Sequence, residues 1–253
     1  MVLGAGGSEP GKSVSFFIPY RRYDPDDPEL MDRPGNDPGL LGGDLENLRI
    51  INRRFGGLRA VRHNIRPLLD RIDSRKTIEI LDLATGSADY PVHIAESMRR
   101  EGRPVRIEAV DNNPFMVAVA RERTSPWPEI TVRGMDILSP SYPDGSFDIV
   151  LCSSALHHFS HRDGVRVLRE MGRLSRIGFI VNDLDRSRLG AWAAWLYGHV
   201  STTNPITRHD ACASMLRAFT KREMILMSKE AGIGSFVVKR ELVFRLVLVG
   251  VHR

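Results

Sequence analysis

Apolar residues along the chain gather into short runs that close on a carboxylate or a small polar residue, and stretches of helical spacing separate the runs. Ile78-Glu79-Ile80-Leu81-Asp82-Leu83 passes directly into Ala84-Thr85-Gly86-Ser87-Ala88-Asp89, Val105 to Val110 closes on Asp111, and Ile130 to Met135 closes on Asp136. Apolar runs of this length bounded by turn residues predict strands buried on both faces, as in a parallel sheet. Tyr142-Pro143-Asp144-Gly145 introduces a fourth run, Phe147 to Cys152, which ends in Ser153 and Ser154, and Ile177 to Leu184 is a fifth. A helix is expected over about 88–100, and strand and helix alternate from Thr77 to Leu184, so right-handed crossovers are expected. A helix from Thr220 to Ala231 and two alternating strands, Ser235–Leu242 and Phe244–Val251, close the chain; the short link between those strands requires an antiparallel hairpin.

Residues 1–43 are dominated by Gly, Pro and Asp, which disfavours regular structure and predicts an arm that is ordered only where it packs on the core. Leu45, Leu48, Ile50, Ile51 and Phe55 then recur at helical spacing with Asp44 as a candidate cap, Gly56-Gly57 ends that helix, and a second follows from Leu58 to Ile72. The expected organisation is an arm (1–43), a helical cap (44–74) and a core (75–253) with an insertion at about 186–218 rich in aromatics and turns. Two short matches are set aside. Gly6 to Ser13 fits a phosphate-loop pattern letter for letter but has no strand before it and no helix after it, and His161-Arg162-Asp163 is a helix start without a kinase partner motif.

Composition narrows the function classes. An apolar fraction of 42% and a charged fraction of 26% describe an ordinary soluble domain. Net charge is +5, yet 31 acidic residues are interspersed with 36 basic ones, of which only five are Lys, and no basic run marks a nucleic-acid surface. Cys152 and Cys212 lack metal-ligand spacing and read as reduced, packed thiols. No apolar stretch approaches the roughly 20 residues of a membrane span, and the N-terminus lacks a signal-peptide centre. A cytoplasmic location is expected, and the oligomeric state stays open, with a homodimer compatible.

Asp111 stands 25 positions after Gly86, where a doubly wound fold grips a ribose diol. A dinucleotide would require G-x-G-x-x-G; the turn reads Ala84-x-Gly86-x-Ala88, and Asp89 would repel a pyrophosphate. The turn resembles instead the first motif of class I S-adenosylmethionine-dependent methyltransferases, with Ala at two of that motif's glycine positions. The run Tyr142 to Phe159 is very similar to the fourth-strand region of the UbiE/UbiG-like small-molecule branch.

The resemblance implies a Rossmann-like α/β fold: a seven-stranded, mostly parallel sheet with an antiparallel last strand, plus an N-terminal helical cap. It implies S-adenosylmethionine as cofactor, with S-adenosylhomocysteine as product. Asp82, Ala84, Thr85, Gly86 and Ser87 would form the first turn, Asp111 and Asn112 would take the ribose, Asp136 and Ile137 the adenine, and Ser153 would stand at the end of the fourth strand.

Methyl transfer from a sulfonium is an in-line displacement that needs no metal; a phenol or enol acceptor needs a base, a role suited to His at neutral pH. His157 and His158, just past the fourth strand, are the first candidates, with a plain capping or hydrogen-bonding role as the alternative. His209 beside Asp210 could reach in from the lid, although a solvent-exposed turn is the plainer account. Asn182, Asp183 and Arg186 at the end of the fifth strand, with Trp192 and Arg208, are candidate acceptor contacts. Trp192, Trp195 and Tyr197 could form a membrane-facing helix, a core face or a pocket wall, the core face being the plainest.

Similarity of Leu184 to Ser187 and of Arg208 to Thr220 to methyltransferases of bacterial polyketide and phenolic pathways implies O-methylation of a phenolic or polyketide-type small molecule. C-methylation of a quinone-type ring is the close alternative. An RNA or DNA methyltransferase is disfavoured, because Ser153-Ser154-Ala155-Leu156 stands where base-amino methylation uses Asn/Asp-Pro-Pro-Tyr/Phe, and Cys152 lies inside a strand. A scaffold that keeps the fold without catalysis is the remaining alternative, motivated by Ala84 and Ala88.

Overall fold

The computed structural model describes residues 18–241 and 243–252. Its strands are β1 (Ile78–Leu83), β2 (Val105–Asp111), β3 (Ile130–Gly134), β4 (Phe147–Ser153), β5 (Ser175–Leu184), β6 (Phe236–Glu241) and β7 (Arg245–Val251). They form one sheet in the order β3-β2-β1-β4-β5-β7-β6. Strands β1 to β5 are mutually parallel, and β7 runs antiparallel to both β5 and β6, as the short final hairpin requires. Gly250 faces Phe179 across the β5–β7 pair; a Cβ there would come within 2.2 Å of the Phe179 ring.

The helices are α1 (Pro38–Arg54), α2 (Gly57–Leu69), α3 (Asp89–Glu101), α4 (Pro114–Thr124), α5 (His161–Leu174), α6 (Arg188–Ser201), α7 (Pro205–Arg217) and α8 (Lys221–Glu230). On one face of the sheet Leu68, Ile94 and Val117 of α2, α3 and α4 pack against Ile80 and Ile107. On the other, Leu168, Met171 and Met224 of α5 and α8 pack against Leu81, Val150 and Leu248. Strand order reverses between β1 and β4, and the carboxyl ends on either side of such a switch point open a crevice for ligand. A third, smaller core closes over that crevice: Leu41 and Leu45 of α1 and Ile206 of α7 meet Met116 of α4, with Leu30 and Met31 of the arm packed against them.

The periodic core agrees with the sequence reading, and differences fall in the cap and the insertion. Helix α1 begins at Pro38 rather than Asp44, because Asp37 supplies the cap by accepting the Leu40 N–H. Asp44 is buried inside the helix and accepts a hydrogen bond from the Thr207 hydroxyl. The insertion, expected to be turn-rich, is two helices. Ser187 caps α6, Asn204 caps α7 and Pro205 fills the first helical position, so the residues that suggested turns start helices. Strand β3 stops at Gly134, short of Ile137. His161 opens α5 under a Ser160 cap, as expected. The phosphate-loop match at 6–13 lies outside the described residues. Among the described residues no helix is long and apolar enough to cross a membrane.

Candidate active site

The crevice holds a cavity of about 520 Å³ at the carboxyl ends of β1, β2 and β4. Its floor is the turn after β1. Ala84, Gly86 and Ala88 all take left-handed backbone angles, with φ of 55°, 54° and 57°. The two alanines therefore keep the conformation that glycine adopts freely, at a steric cost of about 1–2 kcal/mol each. Backbone N–H groups from two segments meet at Asp111: Gly86 of this turn donates to its Oδ2 at 2.9 Å, and Asn113, just past β2, to its Oδ1 at 3.0 Å. Burial raises the Asp111 pKa, and these N–H groups offset part of the rise. Thr85, Ser87, Asn112 and Ser153 complete this part of the wall.

Asp82 lies beneath the turn and accepts the Thr85 hydroxyl at 2.7 Å, while its Oδ1 is buried without a hydrogen-bond partner. Burial, with the nearby Asp111 and Asp89 charges, pushes it up to about 7. Asp89 is paired with Arg123 and accepts the Ser87 hydroxyl.

His157 and His158 both line the cavity from the turn after β4, and their surroundings separate them. Asp183, at the end of β5, accepts from the His157 backbone N–H at 2.9 Å and lies 2.6 Å from its Nδ1. Although burial opposes ionisation, the His157 imidazole holds the Asp183 pKa below its usual value, so the carboxylate can only accept and Nδ1 carries the proton. The Nε2 atom of His157 is then left facing Glu29, 3.8 Å away. His158 directs Nδ1 to Asp32 at 2.7 Å. Burial opposes its charge, but Glu29 and Asp32 outweigh that and raise its pKa to about 10. His158 therefore favours its charged form at neutral pH, which suits it to donating a proton rather than accepting one.

Glu29 and Asp32 come from the arm, and sequence reasoning missed them. Glu29 is fully buried, accepts the Ser214 hydroxyl at 2.7 Å, and has an Oε1 without a hydrogen-bond partner. Arg21 pins the arm by donating to the carbonyls of Phe159 at 2.7 Å and Arg217 at 2.6 Å. The arm's only sequence signal was the pair of apolar residues flanked by acidic ones in Glu29-Leu30-Met31-Asp32. Arg245 at the start of β7 was missed as well. It is buried in the cavity wall and donates to the neutral oxygens of Ser154 at 2.8 Å and Asn52 at 2.9 Å.

Nine of the expected residues thus meet in one place: Ala84, Thr85, Gly86, Ser87, Asp111, Asn112, Ser153, His157 and His158. The others are not on the wall. Asp136 is exposed and spends a carboxylate oxygen on the Leu138 N–H, and Ile137 packs into the core. Asn182 is buried behind the cavity, donating to the Tyr90 hydroxyl at 3.1 Å, and Asp183 acts through His157. Arg186 pairs with Glu223 and braces the Ala218 carbonyl. Arg208 caps the α6–α7 link through the Thr202 carbonyl, and Trp192 points outward. His209 sits in α7, not in a turn, with Nδ1 on Asp210; it is Asp210 that lines the cavity, accepting the Leu30 and Met31 N–H groups.

Among the described residues Glu29, His157 and His158 could hold a metal ion, with one ligand atom from each lying within 4.8 Å of the others. The His158 imidazolium already sets a positive charge among these carboxylates. Burial raises the Cys152 thiol well above its usual pKa, which removes it as a nucleophile.

Residues 80–178 match the family model described as a methyltransferase domain. A demethylmenaquinone methyltransferase of Listeria monocytogenes serotype 4a (strain HCC23) is 28% identical over 119 residues, 45% of this chain and 47% of that protein. A nocamycin O-methyltransferase of Saccharothrix syringae is 30% identical over 128 residues, 48% of this chain and 45% of that one. The chain spans about half the length of the curated relatives it matches. Among solved structures, a SAM dependent methyltransferase from Aquifex aeolicus shares the fold with a TM-score of 0.56 at 16% identity, covering 85% of this chain and 98% of that one.

Proposed function

We propose that this chain, whose residues 80–178 match a methyltransferase-domain model, transfers a methyl group from S-adenosylmethionine to an oxygen of a small phenolic or polyketide-type acceptor. The observation that carries this reading is the charge of the cavity wall. Glu29, Asp32, Asp44, Asp89, Asp111 and Asp210 surround the space above the β1 turn. Such a wall suits a ligand bearing a sulfonium and an ammonium group and opposes the pyrophosphate of a dinucleotide or the phosphodiesters of a nucleic acid.

When bound, the cofactor supplies a methyl group on a positively charged sulfur. Asp111 keeps acceptor capacity for a ribose diol while its two oxygens brace the turn, and Gly86, Asn112 and Ser87 line the same part of the wall. Arg245, hydrogen-bonded to neutral groups, suits the carboxylate at the amino-acid end. Toward the acceptor, His157 is the base. Asp183 fixes its Nδ1–H, so the Nε2 lone pair can take the hydroxyl proton, and the His158 imidazolium offers a hydrogen bond to the oxygen that develops charge. Helices α1, α6 and α7 and the arm contribute residues to the wall over the site.

The nocamycin O-methyltransferase relative supports an oxygen acceptor. The demethylmenaquinone relative keeps carbon methylation of a quinone-type ring as a second reading. Calorimetric titration with S-adenosylmethionine and S-adenosylhomocysteine, with NAD as control, tests the cofactor. Micromolar binding of the first two and none of NAD is expected; the absence of binding would favour the scaffold reading. A screen of phenols and quinones with the loaded enzyme then separates oxygen from carbon transfer by product mass and fragmentation.

A further inference from the structure

Three side chains on the cavity wall turn donor atoms toward one another: Glu29 from the arm, and His157 and His158 from the turn after β4. His157 Nε2 lies 3.8 Å from Glu29 Oε1, and His158 Nε2 lies 4.0 Å from Glu29 Oε2. Each ring is held from behind by a further carboxylate, His157 Nδ1 by Asp183 at 2.6 Å and His158 Nδ1 by Asp32 at 2.7 Å. Glu29 is fully buried, and its Oε1, the oxygen facing His157, has no hydrogen-bond partner among the described residues. An unpaired carboxylate oxygen is costly to bury unless a cation offsets its charge.

Imidazole binds a metal through one nitrogen while the other donates its N–H to a carboxylate, which fixes the tautomer and raises the basicity of the ligand. Both rings meet this condition, and both present the same nitrogen to Glu29. Donors around a tetrahedral zinc ion, with bonds of about 2.0–2.1 Å, stand about 3.4 Å apart, so each ring needs to approach Glu29 by only about half an ångström. Two imidazoles and one carboxylate suit zinc and its first-row neighbours, whereas magnesium takes oxygen ligands. Charge points the same way. Glu29, Asp32 and Asp183 meet the two rings, while Arg21 and Arg217 spend donors on the carbonyls of His157, Phe159 and Asp27.

We propose that Glu29, His157 and His158 form a binding site for a divalent transition-metal ion of the zinc class. Proton and ion are alternatives at one atom. In the metal-free chain His158 holds a proton on Nε2; the ion takes that lone pair, the proton leaves to solvent, and both Nδ1–H groups stay on Asp32 and Asp183. The site stands apart from the methyl-transfer reading, because the ion needs neither cofactor nor acceptor. Only its consequence for turnover rests on that reading: the ion occupies the Nε2 lone pair that His157 offers to an acceptor hydroxyl.

The test is calorimetric titration of the chelator-stripped full chain with zinc chloride, and with cobalt chloride followed by visible absorption, in the absence of cofactor and acceptor. Binding of one ion per chain is expected, with the intense cobalt bands of a four- or five-coordinate site. Glu29→Gln, His158→Ala and Asp183→Asn, each shown to be folded by circular dichroism, should lower affinity by about tenfold or more. Should Glu29→Gln fail to fold, Asp32→Asn, which leaves all three ligands in place, carries the same expectation. His161→Ala, which removes the exposed His161–Glu230 pair, and Cys212→Ser should leave affinity unchanged. No binding by the folded wild type overturns the proposal. Binding that survives the ligand variants, or that His161→Ala or Cys212→Ser abolishes, overturns it in favour of an adventitious ion only.

Discussion

Asp183 holds His157 at two points, accepting its backbone N–H at 2.9 Å and standing 2.6 Å from its Nδ1. One carboxylate thus sets both the position and the tautomer of the imidazole. Asp183→Asn keeps the shape but removes the strict acceptor, so the ring can turn its proton toward the cavity. Turnover should fall by about 10²–10⁴-fold, the range for a general base, and His157→Ala should do the same. Calorimetry should show cofactor affinity nearly unchanged in both variants; a matching loss of affinity would mean that the pair supports the cofactor instead.

Asp111→Ala should weaken S-adenosylmethionine binding by about 1.5–3 kcal/mol, as for a hydrogen bond to a charged group. The variant also loses the acceptor for the Gly86 and Asn113 N–H groups, so near-ultraviolet dichroism must first show a native fold. Unchanged affinity in a folded variant would remove Asp111 from the cofactor site.

His158 gives stability a pH signature. Its folded pKa, about 10, lies above the ordinary 6.5. A raised folded pKa contributes stability that is fully present below pH 6.5 and lost as pH rises through 10. Wild type should therefore exceed His158→Asn in melting temperature most at pH 6, with the gap closing toward pH 10. A gap independent of pH would show that His158 stabilises by packing and not by charge.

Arg245→Met should weaken binding of the cofactor's amino-acid end, read as a loss of affinity for S-adenosylhomocysteine that is small for adenosine. Equal losses for the two ligands, measured by competition, would place the Arg245 effect on the fold as a whole.

Val243 and Phe244 both sit in the left-handed region, with φ of 61° and 58°. A β-branched residue is strained there, by about 1–2 kcal/mol. Val243→Asn should therefore stabilise by about 1 kcal/mol, raising the melting temperature by about 2–4 °C. Ala84→Val imposes the same strain in the cofactor turn and should lower both stability and affinity.

What the sequence disclosed and what it withheld divide along a physical line. The strands from Ile78 to Leu184 and the meeting of Gly86, Asp111, Ser153 and His157 were legible, because a buried parallel strand needs an unbroken apolar run and its carboxyl end opens on the ligand crevice. Helices α6 and α7 were hidden because Ser187, Asn204 and Pro205 serve equally as turn formers and as helix starts. The arm was hidden for a different reason. Its order comes from partners far along the chain, with Arg21 bonded to a carbonyl 138 positions away and Glu29 to a hydroxyl 185 positions away. Local composition carries no trace of such contacts. Asp136 stands apart from the wall because it lies in the loop after β3, where the Leu138 N–H two residues on takes one of its carboxylate oxygens.

Glu29 enters the cavity from near the beginning of the described chain and Arg245 from near its end. The sheet between them can order β1 to β5 as those strands emerge, but the wall of the site closes only when both extremities have docked. The wall therefore joins the two extremities of the described chain, and a chain interrupted before β7 would lose Arg245 from it together with an interior strand of the sheet.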